Sequence, residues 1–464
     1  MLLGGRFVGT LSITFLVLRL AKLFPVAERW LQGLRVCLPP EEEAVVKFAE
    51  ASTTLRKRNK ASKSKKQQQG ELSHQRLQLK AVSLTGDMLW NTLPSMEAYT
   101  FLVHVLACLV PTYLFQCIYA GFYPLAPPDS FFLTALSFFG LNCIYAVLRS
   151  AAKAGLRSTE FQVTVLVGLL SLVLCAITLQ LPEFEAIFDF PLRKGLHSFN
   201  LQLGRLLEAR GLQITIELPF QVIAAVLAGL SAALGMVSFL FGFRLGPCHH
   251  NIQRHVERPF AHLLSVLYLL ISLLLVIMYV KPLCKDIITS DSVSFTVRGL
   301  TILPLTETTF QRIRLWVMAL NCVMGLSLFR VHVQAFLDTA FTHALNLIGA
   351  TMDEHVKASN LRIRILSVYR CICIVAVELL APALLSLILF VLLHIAGEVS
   401  MDAGLTSSLL SSLTSFTGAN TASPNFFSST FSSAVLSFLY WWLNLFSLGW
   451  TCVSLLYVRR AQPE

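Results

Sequence analysis

Nine stretches of the chain are apolar over roughly the length needed to cross a hydrocarbon layer as a helix, and this constrains the fold more than any other feature. They run approximately from Leu2 to Leu18, Ala98 to Phe122, Phe131 to Leu148, Phe161 to Leu181, Leu218 to Phe243, Phe260 to Tyr279, Leu315 to Phe329, Ile372 to Ile395 and Phe431 to Tyr457. A bilayer core of about 30 Å needs about 20 residues at 1.5 Å each. In lipid every backbone polar group must be bonded within the segment, so such runs fold as helices. The first run is the weakest, and the seventh is short between Arg314 and Arg330, with a helical pattern continuing beyond it. The composition agrees: 55% of the 464 residues are hydrophobic and 14% charged, against about 25% charged in soluble domains. Water-soluble, disordered, collagen-like and coiled-coil classes are excluded.

The basic residues predict an orientation. With the amino terminus outside, 27 of the 37 Lys and Arg residues fall on cytosolic segments and 10 on the opposite side, the bias expected of inward-facing loops. The expectation is an all-α polytopic transmembrane bundle of eight or nine spans, amino terminus outside and carboxyl terminus cytosolic. A signal peptide carries its charge before the apolar run, whereas Arg19, Lys22 and Arg29 follow it here, so the first helix is expected to be retained. The organisation reads as a first helix over 1–24, a cytosolic basic linker over 25–97 and spans two to seven over 98–330. A cytosolic amphipathic helix over 331–370 follows, then spans eight and nine over 371–464. Most of the 11 cysteines lie inside spans, where they behave as small apolar residues, and no disulfide framework or Asn-x-Ser/Thr sequon is present.

Three connecting segments stand out. The first linker contains Arg56, Lys57, Arg58, Lys60, Lys63, Lys65 and Lys66 with no acid nearby. It reads either as a solvated loop that sets topology or as a segment on the anionic leaflet, with Ser62 and Ser64 available for phosphorylation. After the seventh run, Phe336, Leu337, Ala340, Phe341, Ala344, Leu345, Ile348 and Met352 recur at helical spacing. The opposite face lacks the bases of a surface-seeking helix, so docking on the bundle or a partner is expected. Ser and Thr crowd 400–433, which predicts a flexible outside loop.

Soluble-enzyme signatures are missing: there is no Walker A run, no G-x-G-x-x-G after a strand, no H-E-x-x-H and no G-x-S-x-G. Cys248, His249, His250 and His255 form a metal-like cluster whose spacing fits no closed tetrahedral set, so neither metal nor cofactor is expected. The sharper candidate is Glu378 in the eighth run, without a base beside it in sequence. A carboxylate at that depth costs at least a few kcal/mol unless it is neutral or paired. Pro382, four residues on, removes the N–H that would bond the Glu378 carbonyl. One reading is a broken-helix cation or proton site. The other is a protonated or amide-paired glutamate joining helices, with Asn142, Asn321, Asn444 or His104 as partners. In the fifth run Ala225, Gly229 and Ala233 recur every four residues and predict a close helix-packing face.

Taken together, the segments resemble the transmembrane protein 161 (A/B) family. The cues are Pro40 to Glu43, then Arg244, Leu245 and His249, then Glu257, Arg258 and Pro259. Lys281, Pro282, Lys285 and Asp286 follow, then Arg314 to Trp316, Arg330, His332, Gln334 and Ala335. The set closes with Val368, Tyr369, Pro382, Trp441 and Trp442. The resemblance implies a polytopic helical protein with no established enzymatic activity, linked to membrane excitability, to calcium and potassium currents and to developmental signalling, and leaves open whether it conducts ions or regulates proteins that do. The family more usually has Gln where this chain has Glu378. Physically, Lys281 and Arg330 suit anchoring at headgroups, and Trp441 with Trp442 suits packing between helices or an interfacial belt. Glu257/Arg258 and Lys285/Asp286 suit ion pairs at the two mouths of one helix.

Three functions follow as expectations. The first is regulation of ion currents through partner channels or pumps, with the basic linker and the stripe of Phe336, Phe341 and Leu345 as contacts. The second is cation or proton transport through Glu378. The third is a lipid-modifying enzyme using His249, His250, His255 and Glu257. The bilayer is the expected partner, with no nucleic acid, and self-association is open; the expected location is the plasma membrane or the endoplasmic reticulum.

Overall fold

The structure is a computed structural model that describes residues 2–37, 81–85, 95–122, 130–154, 158–209, 217–254, 259–289, 295–297, 300–302, 306–350, 358–414 and 429–461. Helix α1 (Leu2–Leu23) and the short α2 (Val26–Leu31) precede strands β1 (Arg35–Cys37) and β2 (Ala81–Ser83), which pair antiparallel. Long helices α3 (Met96–Phe122), α4 (Ser130–Ala154) and α5 (Thr159–Gln180) follow, then the short α6 (Phe184–Ile187) and α7 (Leu192–Ala209). Next come α8 (Phe220–Arg254), α9 (Pro259–Met278), a 3-10 turn Lys281–Leu283, α10 (Lys285–Thr289) and the hairpin β3 (Phe295–Val297) with β4 (Leu300–Ile302). The chain ends with α11 (Glu307–Ala350), α12 (Ala358–Arg370), α13 (Ile372–Thr414) and α14 (Ser429–Ala461). Eight of these, α3, α4, α5, α8, α9, α11, α13 and α14, are long and apolar enough to span a membrane among the described residues; the apolar part of α1, Phe7–Ala21, is shorter. The result is an all-α bundle with one element, α13, at its centre: nearly all of residues 372–395 are buried.

Two expectations change. The seventh run continues without a break into the stripe that follows it, so one helix carries Arg314, His332 and Gln334. The first part of the stripe docks on the bundle, where Phe336 packs against buried Cys248 and Ile252 of α8. The side chains of Phe341 and Leu345 lie outside the described residues, as do the basic linker residues from Arg56 to Lys66. The Ser/Thr-rich segment is helical to Thr414 and again from Ser429. There Leu405, Leu409 and Leu413 keep helical spacing through the hydroxyl residues.

The close-packed face of α8 is displaced from the expected one. Ala225 and Gly229 are exposed, and Gly229 has open space around it. Helices α5 and α14 instead meet the line Ser231, Gly235, Ser238, Gly242 and Gly246. Ser171 Oγ donates to Ser231 O at 2.8 Å and Ser238 Oγ to Leu443 O at 3.3 Å. A Cβ on Gly242 would sit 2.6 Å from the Trp450 Cβ and 2.8 Å from the Thr451 backbone N. Small residues win here because they let the backbones of α8 and α14 touch. Gly242→Leu is therefore expected to cost about 1–3 kcal/mol by overpacking, while Gly229→Leu is tolerated. Midpoints of thermal unfolding in detergent, compared for the two variants, check this.

Candidate functional site

Glu378 is the seventh residue of α13 and 1% exposed. It has a base: Arg244 Nε of α8 donates to Glu378 Oε2 at 2.9 Å. The same guanidinium donates through Nη2 to Glu160 Oε1, at the start of α5, at 2.5 Å. The expectation of a carboxylate without a base is thus corrected, and three helices converge on one guanidinium. Arg244 was hidden because the apolar run stops at Phe243, whereas α8 continues to Arg254. The small-residue line through Gly242 and Gly246 was the signal that the helix continues. Glu160 keeps a side-chain exposure of 37%, against 2% for Glu378, so the cluster opens toward the end of the bundle that bears Arg149, Arg254 and Arg370.

The broken-helix reading is corrected as well. Helix α13 runs through Pro382 without interruption. None of the four named partners reaches Glu378. Asn321 Nδ2 donates to Asn444 Oδ1 at 3.0 Å, and Ser272 Oγ donates to Asn321 Oδ1 at 3.0 Å, which joins α9, α11 and α14 in a buried polar centre. Asn142 Nδ2 donates to Phe138 O of its own helix at 2.9 Å. His104 lines an apolar crevice of about 450 Å³ between α1, α3 and α4.

The metal-like cluster is divided. His249 Nδ1 lies 2.6 Å from Ser265 Oγ, which lies 3.4 Å from His332 Nε2, all three buried. Gln253 Nε2 lies 3.3 Å from His249 Nε2. This places one hydroxyl of α9 between imidazoles of α8 and α11, an arrangement missed because the three residues are far apart in sequence. No group of three His, Cys, Asp or Glu is placed to hold a metal among the described residues; His255, Glu257 and Arg258 lie outside them, and Pro259 begins α9.

The remaining family-like residues make bonds within the protein. Gln334 Oε1 accepts from Arg35 N at 2.8 Å and its Nε2 donates to Arg35 O at 3.2 Å, an amide pairing with β1. Arg330 Nη2 donates to Gln32 O at 3.0 Å. Lys281 Nζ donates to Glu185 O, and Pro282 shapes the 3-10 turn beside it. Trp441 Nε1 donates to Val276 O at 3.3 Å and Trp442 Nε1 to Ser171 Oγ at 3.0 Å, both rings buried.

A second ionic cluster closes the opposite end. Asp189 receives Arg314 Nη1 at 2.9 Å and Lys285 Nζ at 3.1 Å, and Lys285 also reaches Glu307 at 2.5 Å. Lys285 thus pairs with these acids in place of Asp286. Burial by itself pushes the Asp189 carboxyl up, but the Arg314 and Lys285 charges outweigh it, and its pKa lies below the ordinary value. A folded-state pKa below the unfolded one contributes stability above the carboxylate range, lost as pH falls through the folded-state pKa. The unfolding midpoint should therefore drop as pH falls below about 4. In Asp189→Asn the acid limb should flatten while the neutral-pH protein loses about 3–5 kcal/mol, because Arg314 stays buried; unfolding midpoints against pH measure both.

Comparison with known proteins agrees with this architecture. No solved structure matches the chain. Residues 1–461 match the family described as predicted transmembrane protein 161AB, so the chain belongs to that family.

Proposed function

We propose that this multi-pass membrane protein regulates ion currents, including calcium or potassium handling, by binding partner channels or pumps, and that it neither conducts ions nor catalyses a reaction. The observation that carries the non-conducting part is the Arg244–Glu378 pair at 2.9 Å. The one acid in the buried stretch 372–395 of the central helix is neutralised by a base, and around it Val375, Val377, Leu380 and Ala381 are buried and apolar. A conduction path needs ionisable or carbonyl groups that face water or a substrate. The current-regulating part follows the family resemblance.

The orientation favoured by the charge bias puts the Arg149, Arg254 and Arg370 end in the cytosol, together with Arg56 to Lys66 and the helix bearing Phe336, Phe341 and Leu345. These are the proposed partner contacts, in the plasma membrane or the endoplasmic reticulum. The lipid-enzyme reading gains no support from His249, whose ring is bonded inside the bundle.

A second reading, proton or cation transport, is favoured by one feature: two carboxylates share Arg244, leaving one net negative charge at a partly open site. Proteoliposome flux under an imposed potential separates the two. No cation or proton flux above protein-free vesicles is expected from wild type or Glu378→Gln. Wild-type flux that vanishes in Glu378→Gln would establish transport instead. In cells, replacing Phe341 and Leu345 by Ser is expected to change whole-cell currents while surface expression holds.

A further inference from the structure

One face of α4 changes character along its length. Phe132, Leu136 and Phe139 give way, at three- and four-residue steps, to Asn142, Tyr145, Arg149 and Lys153. Such spacing puts all of them on one side of the helix. The apolar part lines the crevice of about 450 Å³ roofed by Leu11, Phe15 and Leu18 of α1. The polar part lines a separate cleft of about 210 Å³ with Ser95 and Glu97, and Phe101 of α3 is a wall of both.

The polar cleft has groups to offer a ligand. Ser95 is 9% exposed, its hydroxyl is buried without a hydrogen-bond partner among the described residues, and its backbone is held at φ 69°. Arg149 and Lys153 are exposed and make no ion pair among the described residues. With Glu97 at the rim, these three side chains leave one net positive charge.

We propose that the α3–α4 seam binds one anionic phospholipid, its phosphodiester at Arg149, Lys153 and Ser95 and one acyl chain in the crevice beneath α1. The charge matches a headgroup of one net negative charge, as in phosphatidylserine, and not the net-neutral phosphatidylcholine. The geometry matches one leaflet: ten residues separate Arg149 from Phe139, about 15 Å of helix and half the hydrocarbon core. The leaflet matches too, because the orientation that puts most bases in the cytosol turns this cleft toward the anionic face, where basic pockets between spans take lipid headgroups.

The test uses the purified full chain in phosphatidylcholine nanodiscs containing a trace of photoactivatable phosphatidylserine. Labelling above that by an equal trace of photoactivatable phosphatidylcholine is expected on peptides of α3 and α4, competed by unlabelled phosphatidylserine but not by a sterol. Arg149→Gln/Lys153→Gln should weaken it roughly thirty-fold, what two bases near a membrane surface are worth. Ala135→Trp, which fills the crevice, should remove labelling there, and Lys194→Gln/Arg205→Gln on α7 should leave it unchanged. Equal labelling by the phosphatidylcholine probe, displacement by sterol, wild-type labelling of the Arg149/Lys153 variant, or an equal loss in the α7 control would each overturn the proposal. Labelling that survives Ala135→Trp would overturn the seating of the acyl chain.

Discussion

A charge buried inside a membrane protein has to be paired, hydrogen-bonded or neutralised there, and that constraint organises this bundle. Arg244 sits on a long helix whose neighbours are almost all apolar. Its guanidinium is satisfied by one carboxylate from the central helix and one from the start of α5. Removing a partner from such a pair strands the other, at a cost of about 3–5 kcal/mol, while the intact pair contributes little net stability over an apolar substitute. The pair therefore acts chiefly on specificity, fixing the register and rotation of α5, α8 and α13 at one end. Arg314 does the same at the other end, where Asp189 and the face of the Tyr279 ring, 4.4 Å from its guanidinium carbon, hold it.

Between these two ends the helices are joined by neutral contacts. The Asn321–Asn444–Ser272 network holds α9, α11 and α14. The line of small residues on α8 brings in α5 and α14, with Trp442 bonded to Ser171 across it. Lipid gives helices no hydrophobic reason to associate, so close backbone packing and buried hydrogen bonds have to supply the cohesion. The arrangement leaves α13 enclosed. It leaves α1, α3 and α4 more open, with a crevice and a cleft between them.

The spans were legible in the sequence because lipid demands long apolar runs, and no folded context alters that demand. The partnership of Glu378 was not legible. Reading α8 as ending at Phe243 follows from treating an arginine as the edge of the membrane, yet Arg244 continues the helix because acids 84 and 134 residues away neutralise it. The packing face of α8 was found in kind and missed in place: the motif through Gly229 faces open space, and the same spacing resumes at Gly235 and Gly242 facing Ser171 and Trp450. Spacing states that a face is small; only the neighbours state which face is covered. The amide of Gln334 pairing with Arg35 was likewise invisible, being a contact across 299 residues.

A double-mutant cycle on Arg244 and Glu378 tests the central claim most directly, with unfolding free energies of wild type, Arg244→Met, Glu378→Met and Arg244→Met/Glu378→Met as the readout. A buried, mutually neutralising pair predicts that Arg244→Met alone is destabilised by about 3–5 kcal/mol and that adding Glu378→Met restores a large part of the loss. Strictly additive single and double variants would contradict the pairing and leave Glu378 in need of another role.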